Sequence, residues 1–289
     1  NRATTFYGKV YPGSGGDIVE GFLQALASRA RGNHDRELPG FPRPVLYAPS
    51  LRLLVTEALP GDATIPRLLA QVLDSVTGPP DGSPSTDTLR ALHDAVRSAG
   101  SALAALHGSD RTTAPVRSVA LERAVLQSDL ELVAQYWPEV ASLVRRSTEG
   151  PMRSATASPD MVLSHGDFTP AQVLLDGQDV AIVDLDTLCW ADPALDLGRF
   201  LAHLELLAVK RGGDAATPLV HDLTRAFLRG YGEATPRTAA AAEATDRIAL
   251  YKTTTLARTA LRACRQLKDY RVELALGLLD STNTRRVDL

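Results

Sequence analysis

"LSHGDFTPAQVLLDGQDVAIVDLDTLCWADPALDLGRF", residues 163–200, decides how the rest of the chain is read. It sets His165, Asp167, Gln172 and Asp184 among apolar runs, VLL and VAIV, that read as buried strands. Asp167 follows the strand-like MVL. Its carboxylate therefore sits on a loop at a strand end, where it can accept a proton from an incoming hydroxyl. Gln172 lies five residues on, and its amide oxygen is a neutral acceptor suited to a hard cation. Asp184 emerges from VAIV, and the DGQD turn makes this segment a hairpin that returns Asp184 toward Gln172. A carboxylate and an amide oxygen that leave several positions open is a common way of holding Mg2+ against phosphates. His165, a lone histidine before a glycine, reads as a structural hydrogen-bonder.

The bulk of the chain is compatible with that chemistry. Its 289 residues suit one large domain or two lobes. A hydrophobic fraction of 44% and a charged fraction of 22% are those of an ordinary globule. The net charge of -3 creates no general field for polyanions, so no nucleic-acid partner is expected. No apolar run approaches the roughly 20 residues of a membrane helix, so no membrane partner is expected either. Cys189 and Cys264 are the only cysteines, too few for a disulfide framework, and suit a reducing cytoplasm. The sequence starts at Asn1 without Met, so the true N-terminus is expected to lie beyond it.

Outward from the motif, TTFYGKVYPG reads as a strand carrying Lys9 and ending in a Pro-Gly turn. GGDIVEGFLQALASRA places Ile18, Phe22 and Leu26, with Val19 beside them, on one helical face. RPVLYAPSLRLLVTEALPG reads as two strands about Ala48-Pro49-Ser50. After residue 60 the texture becomes helical. GPPDGSP at 78–84 is a loop, and STDTLRALHDAVRSAGSALAALH has helical spacing. Residues 119–147 are helical, with a restart at Pro138. Residues 161–186 form a β island, and helices resume from Pro193, broken by RGGD and GYGEATP. The Ala-rich run from Thr238 to Ala244 reads as helix.

The wider spacing, HGDFTPAQVLL…VAIVDLDTLCWADPALDLG, resembles the H-G-D-x-x-x-x-N…D-[FLW]-[DEG]…G-D-P-x-x-D-L signature of the aminoglycoside phosphotransferase and choline kinase-like family. AGSALAALHG resembles that family's LA…LH helix, and VTEALPG its interlobe hinge. The resemblance implies an α+β, protein-kinase-like two-lobed fold. Residues 1–60 would form a small mixed N-lobe that binds nucleotide. Residues 61–289 would form a larger, mainly helical C-lobe with the catalytic hairpin.

The same resemblance implies an ATP-dependent phosphotransferase, with GTP as the other nucleotide, acting on a hydroxyl of a small molecule: a sugar, an aminoglycoside or a related metabolite. Asp167 would be the base, and Gln172 and Asp184 the Mg2+ ligands. Lys9 would grip the phosphates, paired with Glu20. Glu57 and Leu59 would offer backbone groups to the adenine edge. His165 would shape the catalytic loop and Asp196 would brace it through backbone hydrogen bonds. Asp186 would lie near the metal, and Asp192 in the ADP turn.

Three departures from the family pattern stand out. Gln172 replaces the usual Asn, and Ala191 the usual Gly. The strands and phosphate-covering loop that precede the lysine strand have no counterpart after Asn1, so the first strands are expected to be missing from this sequence. These departures motivate a second reading, a non-catalytic nucleotide-binding pseudokinase. A carboxylate-based metallohydrolase is a third, which lacks the further His and Asp cluster that two close metals require.

Overall fold

The computed structural model describes residues 5–30, 39–61, 63–77, 85–109, 113–154, 160–177, 179–235 and 241–284. Strand β1 (Phe6–Val10) leads into helix α1 (Gly15–Ala30), followed by β2 (Pro44–Ala48) and β3 (Leu53–Glu57). The three strands form an antiparallel sheet in the order β1-β3-β2, with Lys9 opposite Leu54. A 3-10 turn at Pro49–Leu51, closed by Arg52 at φ 52°, joins β2 to β3 where the Ala48-Pro49-Ser50 turn is expected. Helix α1 buries Val19, Phe22, Leu23 and Leu26, the i, i+3, i+4, i+7 pattern of one face. Ile18 packs only at the edge of that core. Tyr47 ties the helix to the sheet by donating its hydroxyl to Asp17 Oδ1 at 2.6 Å.

The chain leaves this small lobe at Gly61. Its φ of +105° and the Leu175 carbonyl oxygen, 2.5 Å from where a Cβ would stand, require a glycine there. Next come β4 (Ala63–Thr64), α2 (Ile65–Thr77) and α3 (Thr86–His107), the last capped by Ser85 Oγ accepting from Thr88 N–H. The GPPDGSP loop lies outside the described residues. The short β5 (Val116–Arg117), α4 (Val119–Ala134) and α5 (Pro138–Ser154) follow, α5 starting on its proline.

The β island comprises β6 (Val162–Ser164), β7 (Val173–Asp176), β8 (Asp179–Ile182) and β9 (Cys189–Ala191). The β7–β8 hairpin pairs Val173 with Ile182, and β4 completes its sheet. Strand β9 lies between β5, parallel to it, and β6, antiparallel. The small lobe reaches the hairpin directly. Gly40 N–H donates to Val180 O at 2.7 Å, and Ile182 N–H to Gly40 O at 2.9 Å.

Helices α6 (Ala194–Gly212), α7 (Thr217–Ala234), α8 (Ala241–Arg265) and α9 (Asp269–Thr284) complete the larger lobe. The chain turns at RGGD as expected, but GYGEATP does not interrupt the helix at its glycines: α7 runs through Gly230 and Gly232. A Cβ at Gly230 would fall 2.0 Å from Arg97 O, and one at Gly100 2.2 Å from Phe227 O. The two glycines let the backbones of α3 and α7 touch. Of the Ala-rich run, 241–244 is helical and 238–240 lies outside the described residues.

One apolar cluster joins Leu23 and Leu54 of the small lobe to Leu73, Leu103, Ile182 and Phe200 of the large one. A second, with Leu126, Val144, Leu256 and Leu279, packs α4, α5, α8 and α9 together. The result is a two-lobed α+β fold with the hairpin at the junction.

Candidate active site

The loop from Ser164 to Asp167 is anchored on every side. Gly166 has φ +79°, and a Cβ on it would lie 2.2 Å from Thr187 O, so only glycine fits. The buried Asp196 carboxylate, at the start of α6, accepts from His165 N–H at 2.6 Å and Gly166 N–H at 2.9 Å. His107 Nε2 approaches the same carboxylate at 3.3 Å, and Tyr231 OH meets His107 Nδ1 at 2.9 Å. Burial alone would push the Asp196 carboxyl up. The His107 hydrogen bond and the neighbouring His165 and Arg199 instead hold it below the ordinary aspartate value. Phe168 is fully buried and stacks on Phe200, which stacks on Phe227, with centroids 5.4 and 4.0 Å apart.

His165 couples this loop to the hairpin. Its Nε2 lies 3.0 Å from Val183 O, an acceptor, so Nε2 carries the hydrogen. Its Nδ1 then accepts from Asp167 N–H at 3.4 Å. Asp184 is the residue after Val183 and stands in the left-handed region at φ 65°, a conformation open to Asp and often found at functional sites.

Across the junction, Lys9 Nζ reaches Asp184 Oδ1 at 2.7 Å and Asp186 Oδ2 at 2.5 Å. Burial lowers the Lys9 pKa, but the two carboxylates outweigh it and leave it raised. Burial raises that of Asp184, and Lys9, His165 and a hydrogen bond from Gln172 bring it below the ordinary value. Lys9, Tyr11, Leu54, Leu59, Asp184 and Asp186 line part of a cleft of about 420 Å3 between the sheet and the hairpin, and Glu57 opens onto it too. The Glu57 carboxylate is taken by Arg43 and its N–H by Arg43 O.

Two expectations meet a different local structure. Among the described residues Lys9 makes no ion pair with Glu20. Two carboxylates on the hairpin hold the ammonium, and Glu20 instead accepts from Gln24 one turn along α1. Gln172 stands at the foot of the hairpin near Asp184, but its Oε1 accepts from Thr169 N–H at 2.7 Å. Thr169 and Gln172 form a capping box about the 3-10 turn Pro170–Gln172. Asp184 and Asp186, hard oxygen donors already converging on one cation, fit a divalent ion. Gln172 donates to Asp184 from its amide nitrogen, and would present its oxygen to such an ion only on leaving Thr169 N–H. Asp192 caps its own turn, with Oδ1 accepting from Ala194 N–H at 2.9 Å.

A model of the phosphotransferase enzyme family, APH, matches residues 42–251. The chain belongs to that family. No curated protein sequence matches this phosphotransferase-family chain significantly. Among solved structures it is similar to macrolide 2'-phosphotransferase MphH from Brachybacterium faecium, with 23% identity over 95% of this chain and 83% of that one, at a TM-score of 0.52. It is also similar to a glucosamine kinase in complex with glucosamine, ADP and inorganic phosphate (20% identity, 91% and 72% covered, TM-score 0.56). A third is the GDP complex of aminoglycoside 2'-phosphotransferase-IIIa (14%, 96% and 86%, 0.57). At these identities the likeness establishes the fold, which is kinase-like.

Sequence reasoning did not single out the arginines behind the loop. Arg199 of α6 donates from Nη1 to Asp167 Oδ1 at 2.9 Å and also to Gly166 O. Arg117 of β5 reaches the same carbonyl at 3.1 Å. His203, one turn beyond Arg199, is half-buried near Asp167. Burial pushes its pKa down.

Proposed function

We propose that the chain transfers the γ-phosphoryl group of ATP, or of GTP, to a hydroxyl of a small molecule. Residues 1–60 serve as the nucleotide lobe and 61–289 as the catalytic and acceptor lobe. The observation that carries this reading is the meeting of Lys9 with Asp184 and Asp186 on the wall of the cleft, joined through Val183 and His165 to the exposed carboxylate of Asp167.

Asp167 orients the acceptor hydroxyl and takes its proton, and Lys9 turns from the carboxylates to the phosphates. Glu57 and Leu59 present backbone groups to the base, and Glu20 supports α1 beside the cleft. Asp184 and Gln172 would hold Mg2+, which offsets phosphate charge when bound. Little covalent chemistry is asked of the side chains. Placement and electrostatics do most of the work.

The direct test is ADP release with Mg2+ and ATP across panels of sugars, aminoglycosides, amino alcohols and nucleosides. An acceptor-dependent signal is expected. Nucleotide binding without turnover in any panel would favour the pseudokinase reading, which Gln172 and Ala191 motivate.

Two variants sharpen the roles within the cleft. Lys9→Ala is expected to lower kcat/KM for ATP tenfold or more, a loss of at least about 1.4 kcal/mol, while binding of adenosine is retained. Equal losses for adenosine and ATP would remove Lys9 from the phosphate site. Gln172→Ala is expected to raise the Mg2+ needed for half-maximal turnover, with partial rescue by excess Mg2+. Gln172→Asn should be impaired too, because the shorter arm cannot both accept from Thr169 N–H and face Asp184. Superimposable Mg2+ titrations of all three proteins would take Gln172 out of the metal site.

A further inference from the structure

Behind the catalytic loop lies a buried ionic cluster that the scheme above does not use. Glu122 of α4 is 2% exposed and pairs with three arginines from separate elements: Arg117, Arg199 and Arg258. Burial raises its pKa, and the arginines bring it below the ordinary glutamate value. Arg199 is 7% exposed and bridges the cluster to the loop, its Nη2 3.4 Å from Glu122 Oε2 and its Nη1 2.9 Å from Asp167 Oδ1. The Asp167 side chain is 52% exposed and carries no other side-chain hydrogen bond among the described residues.

A half-exposed aspartate on a loop is free to rotate about two side-chain torsions. Here one oxygen is engaged by a buried guanidinium whose own orientation is set at its far end by Glu122. The other oxygen is left to meet an acceptor. A lysine could not do this, since its single ammonium lacks the planar fork that serves the loop with one nitrogen and Glu122 with the other.

We infer that Arg199 is a positioning residue that fixes the orientation of the Asp167 carboxylate, with Glu122 as its anchor. The inference rests on the reading of Asp167 as the group that receives the acceptor hydroxyl. Phosphoryl transfer depends on alignment more than on base strength, so an ion pair that fixes the carboxylate suits the task. Misplacing a reacting group by about 1 Å costs as much as a hundredfold. Three cations around one buried anion also mean that loss of Arg199 leaves Glu122 paired, so Arg199→Met is expected to fold.

The test combines Arg199→Met and Asp167→Asn, singly and together. It reads MgATP turnover with water as the acceptor, and it includes a crystal structure of Arg199→Met. Arg199→Met is expected to lower kcat by roughly tenfold to a hundredfold, with KM for MgATP unchanged. It should remove nothing further from Asp167→Asn, because it acts through that residue. In the crystal, Asp167 should occupy more than one orientation while the loop backbone stays in place. Arg199→Lys should recover only part of the rate. Losses that multiply in the double variant, a raised KM with kcat intact, or an Asp167 that keeps one orientation without Arg199 would each overturn the inference. A wild-type protein silent in MgATP turnover with water and with every acceptor panel would count against the phosphotransferase reading, and the crystal structure would still decide the role of Arg199.

Discussion

Asp167→Asn is expected to fold normally, to bind nucleotide and to lose about a hundredfold to ten-thousandfold of its phosphoryl transfer. The amide has the shape of the carboxylate, and its oxygen can still accept from Arg199. The neighbouring hydrogen bonds to His165 and Asp196 run through the backbone and survive the change. What disappears is the proposed acceptor for the hydroxyl proton. Thermal unfolding, nucleotide binding and turnover measured together check this. Near-normal turnover with the true acceptor would remove Asp167 from the centre of the reaction.

Asp196→Ala should be the most damaging substitution for the fold of the site. It would orphan two buried backbone N–H groups, of His165 and Gly166, and leave His107 without its carboxylate. Breaking such a buried set costs about 3–5 kcal/mol, a large part of a typical domain's stability. Denaturant unfolding should show the loss, and turnover should be undetectable even where the protein remains folded. A loss under about 1 kcal/mol, no more than one ordinary hydrogen bond, would mean that the aromatic stack holds the loop unaided.

The same carboxylate predicts an acid sensitivity. Its folded pKa lies below the 3.8 of an ordinary aspartate. The stability it contributes is therefore fully present above that value and is lost as the pH falls through the lower, folded one. The acid limb of wild-type unfolding should reflect this contribution, and the Asp196→Ala protein should lack it.

The hairpin, Asp167, Asp184 and the inward face of α1 were readable because their signals are local: period, turn chemistry and motif spacing. Strands β4, β5 and β9 were not. They are two or three residues long and exist only through their partners, β7 for β4 and one another with β6 for the rest. Arg199 is hidden in an apolar helical run, and its anchor Glu122 lies 77 residues away. Glu20 sits on the expected helix, but the resemblance alone could not show that Asp186 would join Asp184 in holding Lys9. Gln172 reads as a ligand from its place five residues after Asp167, but the TPAQ stretch that holds it also has the spacing of a capping box, a local signal that the structure realises. GYGEATP reads as a break because glycine weakens helices, whereas the contact with α3 requires a glycine at position 230.

The Lys9–Asp184 pair closes a loop of 175 residues. The length-dependent part of that closure entropy alone is about 4.5 kcal/mol, whereas an exposed ion pair stabilises by about 1 kcal/mol at most. The pair therefore cannot be what draws the two lobes together. That task falls to the shared apolar cluster in which Leu23 and Leu54 meet Leu185 and Ile182. The charges of the cleft are carried into place by a fold that does not depend on them. Lys9 can leave one set of partners for another without loosening the lobes.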